Sequence, residues 1–372
     1  MDEQVLDDEF LVPDEESGGD DLYEHHRFIV DKGQELLRID KYLGYKLEKT
    51  SRNRIQKAID AGSVKVNDRE VKSNYKVKPQ DVITIVFAHP PHQHLLSAEQ
   101  MPLDIVYEDD ALLIVNKPAG LVVHPGHGNY SGTLVNGLMY HLNNQLPVST
   151  HPNADAEDEI RPGLVHRIDK DTSGVMVIAK NEISMTHLAR QFFDRTIDRK
   201  YLALVWGNVA EDTGRIEAHI GRDKRDRIGM TVYPGGNEGK PAITNYRVVE
   251  RLGFVTLVEC KLETGRTHQI RVHMRFIGHP LFNDEQYGGK RILKGFDTPK
   301  YRQFVENCFA LIPGQALHAA TLGFIHPESG VPMFFEAPLP ENFTLLLDKW
   351  RRYLGSEQLK NKDSGSEFPQ RE

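Results

Sequence analysis

His166-Arg167-Ile168-Asp169-Lys170-Asp171-Thr172-Ser173-Gly174 runs directly into Val175-Met176-Val177-Ile178-Ala179. The first stretch is polar and charged, while the second is apolar and largely β-branched, so the chain passes there from a loop into a buried strand. Upstream, Arg161-Pro162-Gly163 is a turn signal and Leu164-Val165 a short apolar pair. Charged loops held between rigid flanks are where proteins present their chemistry. In this one Asp171, Thr172 and Ser173 cap backbone groups and Gly174 takes an unusual φ. Asp169 is left exposed for chemistry.

Outward from that loop, composition narrows the classes. A chain of 372 residues suits two or three domains and can bury a sizeable core. No run of 18 apolar residues occurs, so a membrane partner is not expected. Acidic residues stand at the start where a signal peptide needs positive charge, and only Cys260 and Cys308 are present, too few for a disulfide framework or a cysteine-rich zinc site. These features point to the cytoplasm. Residues 1–24 hold eleven Asp or Glu and no Lys or Arg, so with the whole chain at −8 the other 348 residues carry about +3. Residues 25–88 hold fourteen Lys or Arg against eight Asp or Glu. An acidic tail on a body that meets a polyanion has this charge pattern, although chance clustering on a solvated surface has it too.

The order along the chain supports several parts. Residues 1–24, without hydrophobic period, are a disordered acidic tail. Over 25–88, Leu36, Ile39, Leu43 and Leu47 fall at helical spacing; a second helix follows, with Ser51 at its N-cap, Ile55, Ala58 and Ile59 on its apolar face and Gly62 at its stop. Arg52, Arg54 and Lys57 occupy the other face. A strand over 63–69 enters an Asn67-Asp68 turn, and residues 82–86 form another strand. Residues 89–96 are a linker broken by Pro90-Pro91. His89, His92 and His94 there lack neighbouring carboxylates or cysteines, so no metal is assigned. Residues 97–354 form a larger domain, and 355–372 a disordered polar tail. Its short apolar runs at 112–115, 175–179, 201–206, 255–260 and 331–335 are β-rich, a further strand starts at Leu121, residues 141–161 are irregular, and helices lie near 181–193 and 267–277. That order predicts an α+β fold with a mixed, largely antiparallel sheet.

His166-Arg167-Ile168-Asp169 followed by Thr172-Ser173-Gly174 and an apolar strand resembles the active-site motif of RNA pseudouridine synthases of the RluA/RluD branch. Four further pieces resemble the same family: residues 113–124 around Lys117-Pro118-Ala119-Gly120-Leu121, residues 200–207 around Tyr201, residues 264–273 around Arg271, and Gly278-His279-Pro280-Leu281 through Tyr287-Gly288, with Leu317-His318-Ala319 later. Residues 36–350 are covered. Asn283-Asp284 departs from the more usual Gly-Asp, but Asn tolerates left-handed φ at a turn. The N-terminal region resembles the small α-L (S-four-like) RNA-binding module, whose basic helix face, here Arg52, Arg54 and Lys57, meets phosphates through charge. The resemblance implies that Asp169 is the essential carboxylate, that Arg271 pairs with it, and that Tyr201 stacks on the flipped uracil and helps remove its carbon-5 proton. It also implies that Arg167 enters the gap a flipped base leaves. Arg266 and His268 suit phosphate binding.

Turning uridine into pseudouridine breaks the bond from N1 to the ribose, turns the base, and joins carbon 5 to the sugar. Nothing is oxidised or imported, so no cofactor and no metal is required. An ionised carboxylate under the sugar is needed, as nucleophile at the anomeric carbon or as base at its neighbour. Burial disfavours that charge and an arginine restores it. The helix carrying Arg271 is read with Thr267 as N-cap, Ile270, Met274 and Ile277 as its buried stripe and Gly278 at its end. A glycoside hydrolase needs two carboxylates on separate elements, and a kinase loop needs a downstream Asn and Asp-Phe-Gly; neither is found. A non-catalytic ribosome-assembly factor is the alternative, and Asp169→Asn separates the two. The expected partner is RNA, large-subunit ribosomal RNA or its assembly intermediate, ahead of transfer or small nuclear RNA, with a monomeric protein.

Overall fold

The structure, a computed structural model, describes residues 23–47, 52–87, 96–126, 129–147, 162–224, 226 and 229–364. The acidic segment 1–22, Ser51, the linker histidines, most of the 141–161 stretch and residues 365–372 lie outside the described residues, as do His127, Gly128 and the side chain of Arg54. Chain contacts separate two units: residues 23–101 with 124–145, and residues 102–123 with 146–147 and 162–364.

The first unit contains β1 (Tyr23–Ile29), β2 (Leu37–Arg38), α1 (Ile39–Lys46), α2 (Arg52–Asp60), β3 (Val64–Val66), β4 (Arg69–Glu70), β5 (Lys76–Val77), β6 (Val82–Phe87) and α3 (Leu134–His141). Four strands form one sheet in the order β1-β6-β3-β4. The β3–β4 hairpin closes through Asn67 and Asp68, both at positive φ, as a tight primed turn requires. Ile39, Leu43 and Leu47 are buried with Ile55, Ala58 and Ile59, so the helical spacing did mark the core face. Leu36 is an exception: it is 63% exposed and precedes β2, because the chain there is extended to pair with β5.

In the second unit, β7 (Ile105–Glu108), β8 (Leu112–Lys117), β9 (Ser173–Ala179), α4 (Glu182–Phe193), β10 (Asp198–Trp206), β11 (Thr213–Arg222), β12 (Met230–Tyr233), β13 (Lys240–Arg251), β14 (Val255–Leu262), α5 (Gln269–Phe276), α6 (Pro299–Phe309), β15 (Leu317–Ile325), β16 (Pro332–Glu336) and α7 (Glu341–Ser364) follow in order. The sheet order is β12-β11-β13-β14-β10-β15-β9-β8-β7, with β16 beside β15. Every pairing is antiparallel except β15 with β9. The fold is thus the mixed, largely antiparallel α+β arrangement expected. Among the described residues no helix is long and apolar enough to cross a membrane.

Two expectations fail here. Residues 121–124 form no strand, because the chain turns at Gly120 (φ 90°) and the Leu121 carbonyl is taken by the Lys117 ammonium at 2.7 Å instead of by a ladder. The C-terminal helix also continues past residue 354 to Ser364. Residues 356–362 are polar but include good helix formers, and extending an established helix needs no new nucleus.

Two clusters in this unit hold the elements that carry the site. Leu112, Ile114, Val175, Val177 and Leu188 pack β8 and β9 against α4. Trp206, Phe282, Tyr301 and Trp350 form an aromatic cluster, with Phe282 5.1 Å from Trp206 and fully buried. Each such side chain contributes about 1.5–3 kcal/mol by leaving water. Phe282 therefore anchors the turn that follows it, Asn283-Asp284.

Candidate active site

The loop over 166–172 is fixed at both ends. At its downstream end Gly174 (φ 116°) lies against Ala319 of β15, where any Cβ would collide with the Ala319 carbonyl. Beside it Ser173 Oγ is 2.8 Å from His318 Nδ1, while His318 Nε2 is 3.1 Å from the Ala337 carbonyl. The carbonyl can only accept, so Nε2 carries the ring proton and Ser173 donates to Nδ1. In mid-loop, Thr172 N–H donates to the Asp169 carbonyl, and the Lys170 carbonyl accepts from both Gly120 N–H and Lys117 Nζ. Lys117 is fully buried and donates also to the carbonyls of Pro118 and Leu121. Burial pushes its ammonium down to about 7, against the charges of Asp171 and Asp169. At the upstream end His166 stacks on Phe192 at 4.6 Å and accepts from Val177 N–H through Nε2. Burial, helped by the Arg199 charge, lowers it to about 3, so the ring is neutral.

The arginine arrives from α5. The first helical bond runs from Val272 N–H to the His268 carbonyl, so the N-cap is His268 and not Thr267. The reason lies in Gln269, whose side chain closes the preceding turn. Its Oε1 accepts from Arg266 N–H and Thr264 Oγ, and its Nε2 donates to the Ile243 carbonyl. His268 takes the left-handed conformation (φ 54°) that this turn demands. Arg271, only 7% exposed, then donates from Nη1 to Asp169 Oδ2 at 3.0 Å. Its other edge is held by a second carboxylate: Nε and Nη2 reach Asp284 at 2.8 and 3.0 Å, and Nη2 also reaches Gln286. Tyr287 lies beneath, 4.8 Å from the guanidinium. Burial alone would lower the Arg271 pKa, but the bonds to Asp284 and the charge of Asp169 hold it above its ordinary value.

Asp169 is left half-committed. Oδ2 is paired, whereas Oδ1 has no hydrogen-bond partner among the described residues; His268 Nε2 lies 3.9 Å from it, beyond hydrogen-bond reach. Its side chain is 24% exposed and lines a cavity of about 720 Å³. Tyr201, Arg271, Arg167, Arg266 and His268 line that same cavity, so the structure brings together every site residue expected in this unit. Tyr201 is 7% exposed, and burial raises its pKa although Arg199 works the other way, so the phenol is neutral at pH 7. His268 is lowered by burial, against the pull of Asp169, and meets the Tyr287 hydroxyl at 2.7 Å.

The first unit behaves differently. Arg52 is half-exposed, but its guanidinium is tied to buried Asp40 at 2.9 Å, so it is not a free phosphate ligand. Lys57 is exposed as expected. Asp284, Lys117, Gln286 and Tyr287 were missed as site residues. The one available signal was the Asn283-Asp284 turn, where Asn283 is indeed at φ 62° and fixes the turn by donating to the Phe309 and Ile312 carbonyls.

Residues 111–276 match the family model described as RNA pseudouridylate synthase, and residues 37–83 match the S4 domain. An uncharacterized RNA pseudouridine synthase of Chlorobaculum parvum is 46% identical over 88% of this chain and 98% of that one. Ribosomal large subunit pseudouridine synthase D of Neisseria meningitidis is 44% identical over 86% of this chain and 80% of that one. Among solved structures, human RNA Pseudouridylate Synthase Domain Containing 4 is similar with a TM-score of 0.51 and 25% identity, over 66% of this chain and 92% of that one. Kinship across nearly the whole length, and not the loop motif alone, places the chain in the RNA pseudouridylate synthase family, as an isomerase joined to an S4 RNA-binding domain.

Proposed function

We propose that this enzyme isomerises uridines of large-subunit ribosomal RNA or its assembly intermediate, as a monomer in the cytoplasm, with Asp169 as the carboxylate that works on the ribose. One observation carries the assignment: Asp169 lines the cavity with one oxygen held by Arg271 and, among the described residues, no hydrogen-bond partner on the other. The unpaired oxygen is what either a nucleophile at the anomeric carbon or a base at its neighbour requires. A cavity of about 720 Å³ is in the range that encloses small ligands, which suits one extruded nucleotide.

A base in a stem is unstacked at a cost of roughly a few kcal/mol before it reaches such a pocket. Exposed Arg167 at the cavity wall is placed to occupy the gap. Tyr201 offers its ring to the extruded uracil. Because its phenol is neutral, its hydroxyl acts as a relay in removing the carbon-5 proton, not as a standing base. Arg266 and His268 take backbone phosphate. The module over residues 25–88, through Lys57 and its neighbours, supplies sequence-independent charge to the domain over 97–354. The ribosomal target is supported by the name of the Neisseria relative.

The test is pseudouridine mapping by carbodiimide-dependent reverse-transcription stops in cells lacking the protein, complemented with wild type or Asp169→Asn. Wild type is expected to restore stops in large-subunit RNA, and Asp169→Asn to bind RNA without restoring them. Restoration by Asp169→Asn would overturn the assignment.

A further inference from the structure

At the end of α4, Phe193 is 85% exposed although it lines the cavity that holds Asp169. Its neighbour Phe192 is half-buried against His166 and Arg199. A largely exposed aromatic ring at the wall of a polar cavity gains little from the fold of the free protein. The next residues add a second anomaly. Asp194 N–H bonds the Arg190 carbonyl and Thr196 N–H bonds the Gln191 carbonyl, a helix stop that calls for a left-handed residue between them. Glycine is the usual occupant of that place, yet here it is Arg195, at φ 60°. Among the described residues Arg195 has no ion-pair partner. The adjacent acid, Asp194, is paired with Arg190 at 3.3 Å. Arg195 instead lines the same cavity as Arg266, whose pKa is lowered by burial and then by the charge of Arg195. Two guanidiniums lining one cavity with an exposed aromatic ring make a place for an anion next to a π-surface.

Resting on the reading that the cavity takes a flipped uridine, we propose that Phe193, Arg195 and Arg266 form a second RNA subsite at the wall of that cavity, which holds the nucleotide adjacent to the target. Phe193 carries its unpaired base by stacking, and the two arginines share its phosphate. Stacking on an aromatic ring tolerates any base, so the subsite demands that the neighbouring nucleotide be unpaired and not that it have a given identity. It thereby selects loops and bulges over continuous stems.

The experiment measures binding of the full chain to a ribosomal RNA fragment that the wild type modifies, and to the same fragment made abasic at either nucleotide flanking the target. Phe193→Ala is expected to weaken binding to the intact fragment by about 10-fold and to bind one of the two abasic fragments as the wild type does. Arg195→Gly is expected to raise the melting temperature, since it relieves the left-handed backbone, while lowering RNA affinity and reducing the salt slope by about 1. Ile183→Ala, exposed at the other end of the same helix, serves as the control and leaves binding unchanged. Equal losses for Phe193→Ala on intact and both abasic fragments, or unaltered affinity and salt slope in Arg195→Gly, would overturn the subsite. Either result leaves the uridine pocket untouched, because that reading fails only if Asp169→Asn still makes pseudouridine.

Discussion

Asp40 in the S4 unit and Asp169 in the catalytic unit both sit among guanidinium groups, and they end in opposite states. Asp40 is fully buried, and its two oxygens receive Arg38, Arg52 and Gln56 at 2.7–3.1 Å. Burial pushes its carboxyl up, but those bonds outweigh it and hold it at about 2. Asp169 shares its arginine with Asp284, lines a cavity and, among the described residues, keeps one oxygen without a hydrogen bond. A saturated carboxylate is a clamp, whereas one deliberately short of partners can attack or take a proton. The presence of arginine alone does not tell them apart; the unspent lone pairs do.

The sharpest way to break the comparison is Asp169→Asn. Isomerisation in a single-turnover assay should fall by ~10²–10⁴-fold or more, while the melting temperature barely moves. A large loss of stability would make Asp169 another clamp. Asp284→Asn comes next. It removes the fully buried, two-bond partner of Arg271, where Asp169 is partly exposed and makes a single bond, and breaking such a buried pair costs about 3–5 kcal/mol. Activity should drop with it, and more in kcat than in KM, because Arg271 then no longer points one edge at Asp169. Equal kcat would show that Asp284 contributes folding alone.

Asp40→Asn should cost at most about 2 kcal/mol at pH 7, since Arg38 and Arg52 are themselves partly in water. The sign follows from a folded pKa of about 2 below the ordinary 3.8. The stabilisation is complete above about pH 4 and disappears as the pH falls toward 2. Acid titration of wild type and variant by circular dichroism should therefore converge at the low end. A constant gap across that window would contradict the clamp. The smallest effect belongs to Lys57→Gln. It should weaken RNA binding a few-fold and lower the salt slope by just under 1, whereas a variant at clamped Arg52 should act through stability.

Local patterns were legible wherever one short stretch sets its own structure. The loop into β9, the helix over 182–193, the Asn67-Asp68 hairpin and the left-handed Asn283 all follow from neighbouring residues. Tertiary partners were not. Arg52 reads as a surface cation because Asp40, twelve residues away, cannot be seen to reach it. Asp284 reads as a turn acid because its bond to Arg271 exists only once Phe282 is locked in the aromatic cluster. Lys117 looks like a strand-end lysine until three carbonyls converge on it. The long strands β11 and β13 went unread since their outer positions are charged and broke the apolar runs.

Gly174 fixes how far this gene can drift. With the carbonyl of Ala319 where a methyl group would go, no missense codon at that position spares the seam between β9 and β15. In a saturation library scored for growth under conditions that need the modification, position 174 should be blank for all nineteen replacements, alanine included, although the residue does not line the cavity that holds Asp169.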